Sequence, residues 1–219
     1  VLERPNWLIG ILEASWGPTY INVVLEGQQE HAGSTPMNAR HDAMTAACEI
    51  VLKIESLAQS YGNNYTVATV GRMLPFPNSS NVIAGRVEFS IDIRDISEDR
   101  KTDMTQKICS YIDTIAMLRG LRASHCVTAD DLPHSSDKKI VAVIEESCTR
   151  EGIFSNKMVS GAYHDSLFIA EFAPMGMIFV PSRKGISHDP AEYTDMDDIV
   201  LGTEVLTDTL LTLSNSKEI

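Results

Sequence analysis

Apolar positions recur at strand or helix spacing along most of the chain. Tyr20–Glu26 (YINVVLE) is β-rich and stops at Gly27, and a turn-like stretch runs from His31 to Pro36. From Met37 to Ser60 the apolar Ala43, Ala47, Ile50, Val51, Ile54, Leu57 and Ala58 recur at three and four residues, which predicts an amphipathic helix with one buried stripe. Gly62-Asn63-Asn64 ends it. Tyr65–Met73 alternates as a strand until Pro75, Pro77 and Asn78-Ser79-Ser80. Asn81–Arg94 then reads as a second strand, with Val87, Phe89, Ile91 and Ile93 on one face and Glu88, Ser90, Asp92 and Arg94 on the other, the signature of a sheet packed on one side. Ser97 suits an N-cap, with Glu98 and Asp99 in the first turn of the next helix. Its stripe is Met104, Ile108, Tyr111, Ile112, Ile115 and Leu118, closed by Gly120, and Leu121–Thr128 forms a last strand. The order β-α-β-β-α-β is the split β-α-β, ferredoxin-like pattern, which carries no function by itself.

After it the pattern changes. Asp130–Asp137 (DDLPHSSD) reads as a linker. Ser136 or Asp137 caps a predicted helix to Arg150, with Ile140, Val141, Ile144 and Cys148 inward and Gly152 as terminator. Strands are predicted at Lys157–Val159 and Met175–Pro181, with a short helix over Ser166–Phe172 between them. A final helix runs from Asp195 to Leu213, burying Ile199, Leu201, Val205, Leu206 and Leu210. Helix and strand alternate as in α/β domains. Two convincing strands are too few to cover these helices, so the expectation is an incomplete α/β domain whose other strands are absent or lie early, as at Trp7–Leu12. The domains are accordingly expected at 1–16 and 131–219 for the α/β part and 17–130 for the ferredoxin-like part.

Composition adds little to the fold but excludes several functions. The chain has 219 residues, one large domain or two small ones by length, and a net charge of −12. Acidity argues against nucleic acid, which needs clustered Lys and Arg. No apolar run is long enough to cross a membrane, and no signal peptide is visible. Cys48, Cys109, Cys126 and Cys148 form no C-x-x-C pair, and Cys48 and Cys109 lie in helical patterns as small core residues. A reducing, cytoplasmic setting without disulfides is the expectation. Val1 in place of an initiator methionine suggests a segment of a longer chain.

The candidate chemistry lies in loops. Of six histidines, His41 and His134 read as solvated and His125 as structural. His188 lies in Gly185-Ile-Ser-His-Asp-Pro-Ala-Glu192, after a strand, where ligands meet open α/β sheets. Its imidazole suits a metal, with Glu192 to orient it, but one histidine is not a zinc site, and the plainer alternative is a loop histidine hydrogen-bonded to backbone. His31, in Glu30-His-Ala-Gly-Ser-Thr-Pro-Met37, precedes Thr35 as N-cap and Pro36 as first helical residue. It could donate to a developing oxyanion or simply brace the loop. His164-Asp165 is an orienting pair or the polar start of a helix. Asn81 and Arg94 flank one strand; the Arg94 fork matches a carboxylate, or pairs with Asp92 or Asp95 at the surface. There is no G-x-S-x-G, P-loop, G-x-G-x-x-G or H-E-x-x-H.

Taken together these strings are more specific. Gly27, His31-Ala-Gly-Ser-Thr-Pro-Met37 and Arg40-His-Asp-Ala43 resemble the lid-domain entry of the dinuclear-metal aminoacylase/carboxypeptidase superfamily. Within it the chain is most similar to the hydantoinase/carbamoylase-type amidases: N-carbamoyl-L-amino acid hydrolases, β-ureidopropionases and allantoate amidohydrolases. Asn81-Val-Ile-Ala-Gly85, Asp92-Ile-Arg94, Ser160-Gly-Ala-Tyr-His-Asp165 and Val180–Glu192 carry the likeness through the rest of the chain. Ala84 stands where the family usually has Pro, and Tyr163 where it has Gly, which would reshape the substrate loop.

The resemblance implies a lid and dimerisation domain inserted in a larger catalytic domain. It implies His31 as the catalytic group that reaches a partner subunit's active site and stabilises the tetrahedral intermediate. Asn81, Arg94 and the loop at Gly161 would hold the substrate carboxylate, and His188 would be the last ligand of two divalent metal ions, zinc or manganese. The family's other ligands and its general base lie ahead of the lid. The chain is therefore expected to be the C-terminal half of an enzyme of roughly 400 residues, inactive and without stoichiometric metal by itself. The implied reaction is hydrolysis of an amide or ureido C–N bond in an N-carbamoyl amino acid or allantoate-like acid, by a homodimer joined through the lid. Rival readings are a dipeptidase or aminoacylase of the same superfamily and a non-catalytic dimerisation or binding module.

Overall fold

The computed structural model describes residues 8–216. The chain divides into two compact units, one of residues 17–133 and one formed by the residues up to Trp16 together with those from His134 on. The part of the expected first strand at Trp7 lies outside the described residues.

In the 17–133 unit four strands form one antiparallel sheet: β2 (Gly17–Glu26), β4 (Val67–Phe76), β6 (Arg86–Asp95) and β7 (Arg122–Asp130), in the order β4-β6-β2-β7. The helices α1 (Ala43–Ser60) and α2 (Glu98–Leu118) cover one face. The core follows from the two periods. Ile21, Val23, Leu25, Val87, Phe89, Ile91 and Ile93 alternate inward from the central strands and meet Ala46, Ala47, Ile50 and Ile54 of α1 and Met104, Ile108 and Ile112 of α2. Pro75 is tolerated because β4 is an edge strand. A two-stranded ribbon, β3 (Glu30–His31) with β5 (Val82–Ile83), leaves one end of this sheet.

Two local expectations change. The helix expected from Met37 starts at Ala43: Asp42 caps it by accepting from the Met44 and Thr45 N–H groups, and Met37–Ala39 forms a separate 3₁₀ turn on which Thr35 places no cap bond. The strand expected over Asn81–Arg94 breaks at Ala84-Gly85. A Cβ on Gly85 would lie 2.8 Å from the Gln29 N, so only glycine allows the ribbon to fold back there.

The second unit corrects the expectation of an incomplete α/β domain. It has a mixed four-stranded sheet with β1 (Ile9–Ser15) at its centre. On one edge β1 pairs in parallel with β9 (Ser155–Ser160); on the other it pairs with β8 (His134–Ser135) and β10 (Ile178–Phe179), both antiparallel. Ile9 and Ile11 pack under α3 (Lys138–Arg150) and α5 (Met196–Asn215) with Ile144, Cys148 and Val205. Leu12 faces the other way, onto Leu167 and Met175 beside α4 (Ser166–Ala170). A strand buried on both faces reads as a continuous apolar run without alternation, and β8 sits in a polar stretch that reads as linker. The sequence pattern missed β8, whereas β1 overlaps the early strand expected at Trp7–Leu12. Leu206 and Leu210 of α5, expected inward, are 47% and 57% exposed; Gly202, Val205 and Thr209 form the buried ridge instead.

All four cysteines are free thiols, and Cys48, expected in the core, is exposed. Among the described residues no helix is long and apolar enough to cross a membrane.

Candidate active site

His31 ends β3, and its ring is turned back over the loop that follows. Its Nδ1 accepts the backbone N–H groups of Gly33 (3.0 Å) and Ser34 (3.2 Å). An imidazole nitrogen that accepts carries no proton, so the neutral ring is the Nε2–H tautomer. The loop is braced by its own residues. Thr35 donates its hydroxyl to the His31 carbonyl at 3.0 Å, and Arg40 donates to the Ala32 and Thr35 carbonyls at 2.6 and 3.0 Å. The result is an exposed N–H donor on a fixed ring.

Asn81 is brought to the same place. Its carbonyl accepts from Ala32 at 3.0 Å, and the next residue, Val82, pairs with His31 across the ribbon. Its side-chain Oδ1 accepts from the Ser79 hydroxyl at 2.9 Å.

Arg94 lies elsewhere. It sits near the far end of β6, opposite Pro18 and Val67, whereas the ribbon leaves from the Arg86 end. Eight residues of extended chain separate Arg94 from Arg86, about 26 Å at strand rise. The structure thus brings His31 and Asn81 together and sets Arg94 apart from both within one copy. The guanidinium grips Asp92 with Nε to Oδ1 at 3.0 Å and Nη2 to Oδ2 at 2.9 Å, and reaches the Tyr20 hydroxyl at 3.4 Å. The hydrogen bond to Asp92 holds the Arg94 pKa above its ordinary value despite partial burial.

In the second unit Gly161 follows β9. A Cβ there would lie 3.2 Å from the Trp16 ring, so the loop passes the indole at glycine distance. Beyond it Tyr163 stands edge-on to Phe168, ring centroids 5.7 Å apart. His164 pairs with Ser160 at 2.6 Å, so its partner is this hydroxyl and not Asp165. Sequence reading missed Ser160 because a serine at a strand end is common; the four-residue spacing across a Gly161-Ala162 turn was the signal available.

His188 has φ +58°, is exposed, and heads a turn in which Glu192 accepts its backbone N–H at 3.0 Å. Glu192 therefore binds the main chain and not the ring. Among the described residues no group of three or more His, Cys, Asp or Glu could hold a metal ion. This donor set does not fit a two-metal centre. Of the other histidines, His41 Nδ1 lies 3.0 Å from the Arg119 carbonyl, His125 Nε2 lies 3.2 Å from Asp113, and His134 pairs with Ser15 through β8.

Residues 21–212 match the model of peptidase family M20/M25/M40. The chain belongs to that family. It is 38% identical over 210 residues to an N-carbamoyl-L-amino-acid amidohydrolase of a Pseudomonas species, covering 96% of this chain and 51% of that protein. It is 38% identical over 215 residues to a ureidoglycolate hydrolase of Arabidopsis thaliana, covering 98% of this chain and 45% of that one. Among solved structures, an amidase of the hydantoinase/carbamoylase family from Burkholderia multivorans superposes with a TM-score of 0.89 at 32% identity, over 97% of this chain and 51% of the other.

These matches run through 94–98% of this chain and about half of each relative, and they replace the expectation of a C-terminal half with family membership along nearly the whole chain. Each unit closes around its own apolar core. The chain spans about half the length of the curated relatives it matches.

Proposed function

We propose that this M20-family chain serves the hydrolysis of a C–N bond in a small amide or ureido compound bearing a carboxylate, of the N-carbamoyl amino acid type. The carrying observation is the His31 ring: two backbone N–H groups on Nδ1 leave Nε2–H as a preorganised outward donor. Such a donor, fixed before the reaction, is what a tetrahedral intermediate's oxyanion needs, and it costs no reorganisation when the charge develops. Asn81 stands beside it to hold the substrate. Arg94 supplies a planar fork for the carboxylate, with Asp92 and Tyr20 orienting it.

Because Arg94 is about 26 Å of strand from the ribbon end, one cavity can hold all three side chains only if two copies contribute. A homodimer through the 17–133 unit is therefore part of this reading, with the His31–Asn81 end of one copy serving the Arg94 end of its partner. Gly161 is a further substrate-binding candidate, within the second unit. His188 is a single candidate donor for a divalent metal, and the described residues do not complete a ligand set.

The test is ammonia release from N-carbamoyl amino acids, with zinc or manganese supplied, by wild type and His31→Ala. Loss of one oxyanion donor lowers kcat about 10²–10³-fold. Unchanged turnover in the variant, or hydrolysis of dipeptides in preference to carbamoyl amino acids, overturns the reading.

A further inference from the structure

The Ser160–His164 pair is used by nothing described so far. Ser160 ends β9 and is buried at 6% exposure, with its backbone paired to Ser15 of β1. Its Oγ accepts the Ala162 N–H at 3.2 Å and lies 2.6 Å from His164 Nε2. Ala162 is itself tied down, its carbonyl accepting the Ser15 hydroxyl at 3.2 Å. Both partners of the turn are therefore anchored to the central strand.

Proton accounting decides which atom donates. A serine hydroxyl has one proton to give. If His164 Nε2–H donated to Oγ, the hydroxyl would accept twice and its own proton would be left without a partner in a buried position, at a cost of about 1–3 kcal/mol. If Oγ–H donates to Nε2, the serine proton, the Ala162 N–H and Nε2 all have partners. Nε2 is then the acceptor, and the ring's proton sits on Nδ1, the mirror image of the His31 arrangement.

We propose that Ser160 is a positioning residue that locks His164 in the Nδ1–H tautomer. The ring thereby offers one fixed N–H donor beside the Gly161 loop, for an acceptor oxygen of the substrate. Phe179, its ring centroid 5.6 Å from that of His164, flanks the imidazole and limits its rotation. Asp165 contributes through its backbone, accepting the Phe168 N–H, and leaves the tautomer to Ser160. The substrate part of this inference rests on the function proposed above; the tautomer part stands apart from it.

The experiment is a long-range ¹H–¹⁵N spectrum of the imidazoles in the 219-residue chain, at a pH where histidine is neutral. Wild type is expected to show His164 protonated at Nδ1. Ser160→Ala is expected to lose that preference, and Ser160→Thr, which keeps the hydroxyl, to retain it. An Nε2–H wild-type ring overturns the inference without any variant, as does an Nδ1–H ring that persists in Ser160→Ala. In the hydrolysis assay Ser160→Ala is expected to raise KM about tenfold with kcat little changed, the loss of one hydrogen bond. A tautomer change in a chain that hydrolyses no carbamoyl substrate upholds the positioning role and overturns the functional reading, so the two failures are distinguishable.

Discussion

Lys101 is 1% exposed, and its ammonium is held by the Asp130 carboxylate at 2.8 Å and by the Asp131 carbonyl. Thr19 adds a hydroxyl bond to Asp130 at 2.6 Å. Burial pushes the Asp130 carboxyl up, but the Lys101 and Thr19 hydrogen bonds and the Lys101 charge outweigh it and hold it below its usual range. A carboxylate whose folded pKa is depressed stabilises the fold above its unfolded value, about pH 4, and that contribution is lost as pH falls through the lower folded value. Asp130→Ala strands a buried ammonium, but Asp130 is largely exposed and the pair is partly screened, so a cost of about 1.5 kcal/mol at pH 7 is expected. Urea melts from pH 7 down to pH 3 check this: the gap between wild type and variant should narrow toward acid, and a constant gap contradicts it. At this scale the sequence identified His31, Asn81, Arg94 and His188 as candidates from residue type and loop chemistry. It did not reveal tautomers, because those depend on which backbone N–H groups a turn aims at the ring. The Gly33 and Ser34 amides at His31 and the Ser160 hydroxyl at His164 become visible only once the loops are folded.

Between β6 and α2 the chain turns on Asp95, which is fully buried. It accepts from the Ser97 N–H at 2.7 Å, from the Thr66 hydroxyl, and from Arg100 in a fork at 2.5 and 3.1 Å. The junction sits one residue beyond Arg94 and fixes where that guanidinium emerges. Arg100→Ala leaves a buried carboxylate with its charge uncompensated, and a loss of about 3 kcal/mol is expected, read as a lower urea midpoint. A loss below about 0.5 kcal/mol, the range of an ordinary surface substitution, contradicts this. The helix start at Ser97 was legible from one capping residue and two acids, and the β6 alternation from Val87 to Ile93, because one face of that sheet is covered and the other is not. The α5 stripe was only half legible. Periodicity marks an apolar side but not its width, and the buried ridge runs through Gly202, Val205 and Thr209, leaving Leu206 and Leu210 outside it. Strand β1 escaped alternation because both its faces are buried.

For the whole molecule, the family was legible because the motifs come in the right order from Gly27 to Glu192, and the match over residues 21–212 bears on nearly all of them. What order cannot convey is distance. Asn81 and Arg94 bound one predicted strand, and the family resemblance implied a shared grip on a carboxylate. The break at Gly85 and the ten-residue length of β6 put them at opposite ends of a sheet. The proposed active site therefore requires two copies. Its most direct test is complementation. His31→Ala and Arg94→Ala chains are prepared separately, then mixed, dissociated and reassociated, and N-carbamoyl amino acid hydrolysis is compared with wild type. In a dimer with one donor from each copy, half the reassociated dimers are mixed and each carries one intact site, so recovery of about a quarter of wild-type activity is predicted from two near-inactive parents. No recovery beyond the sum of the separate variants would contradict it.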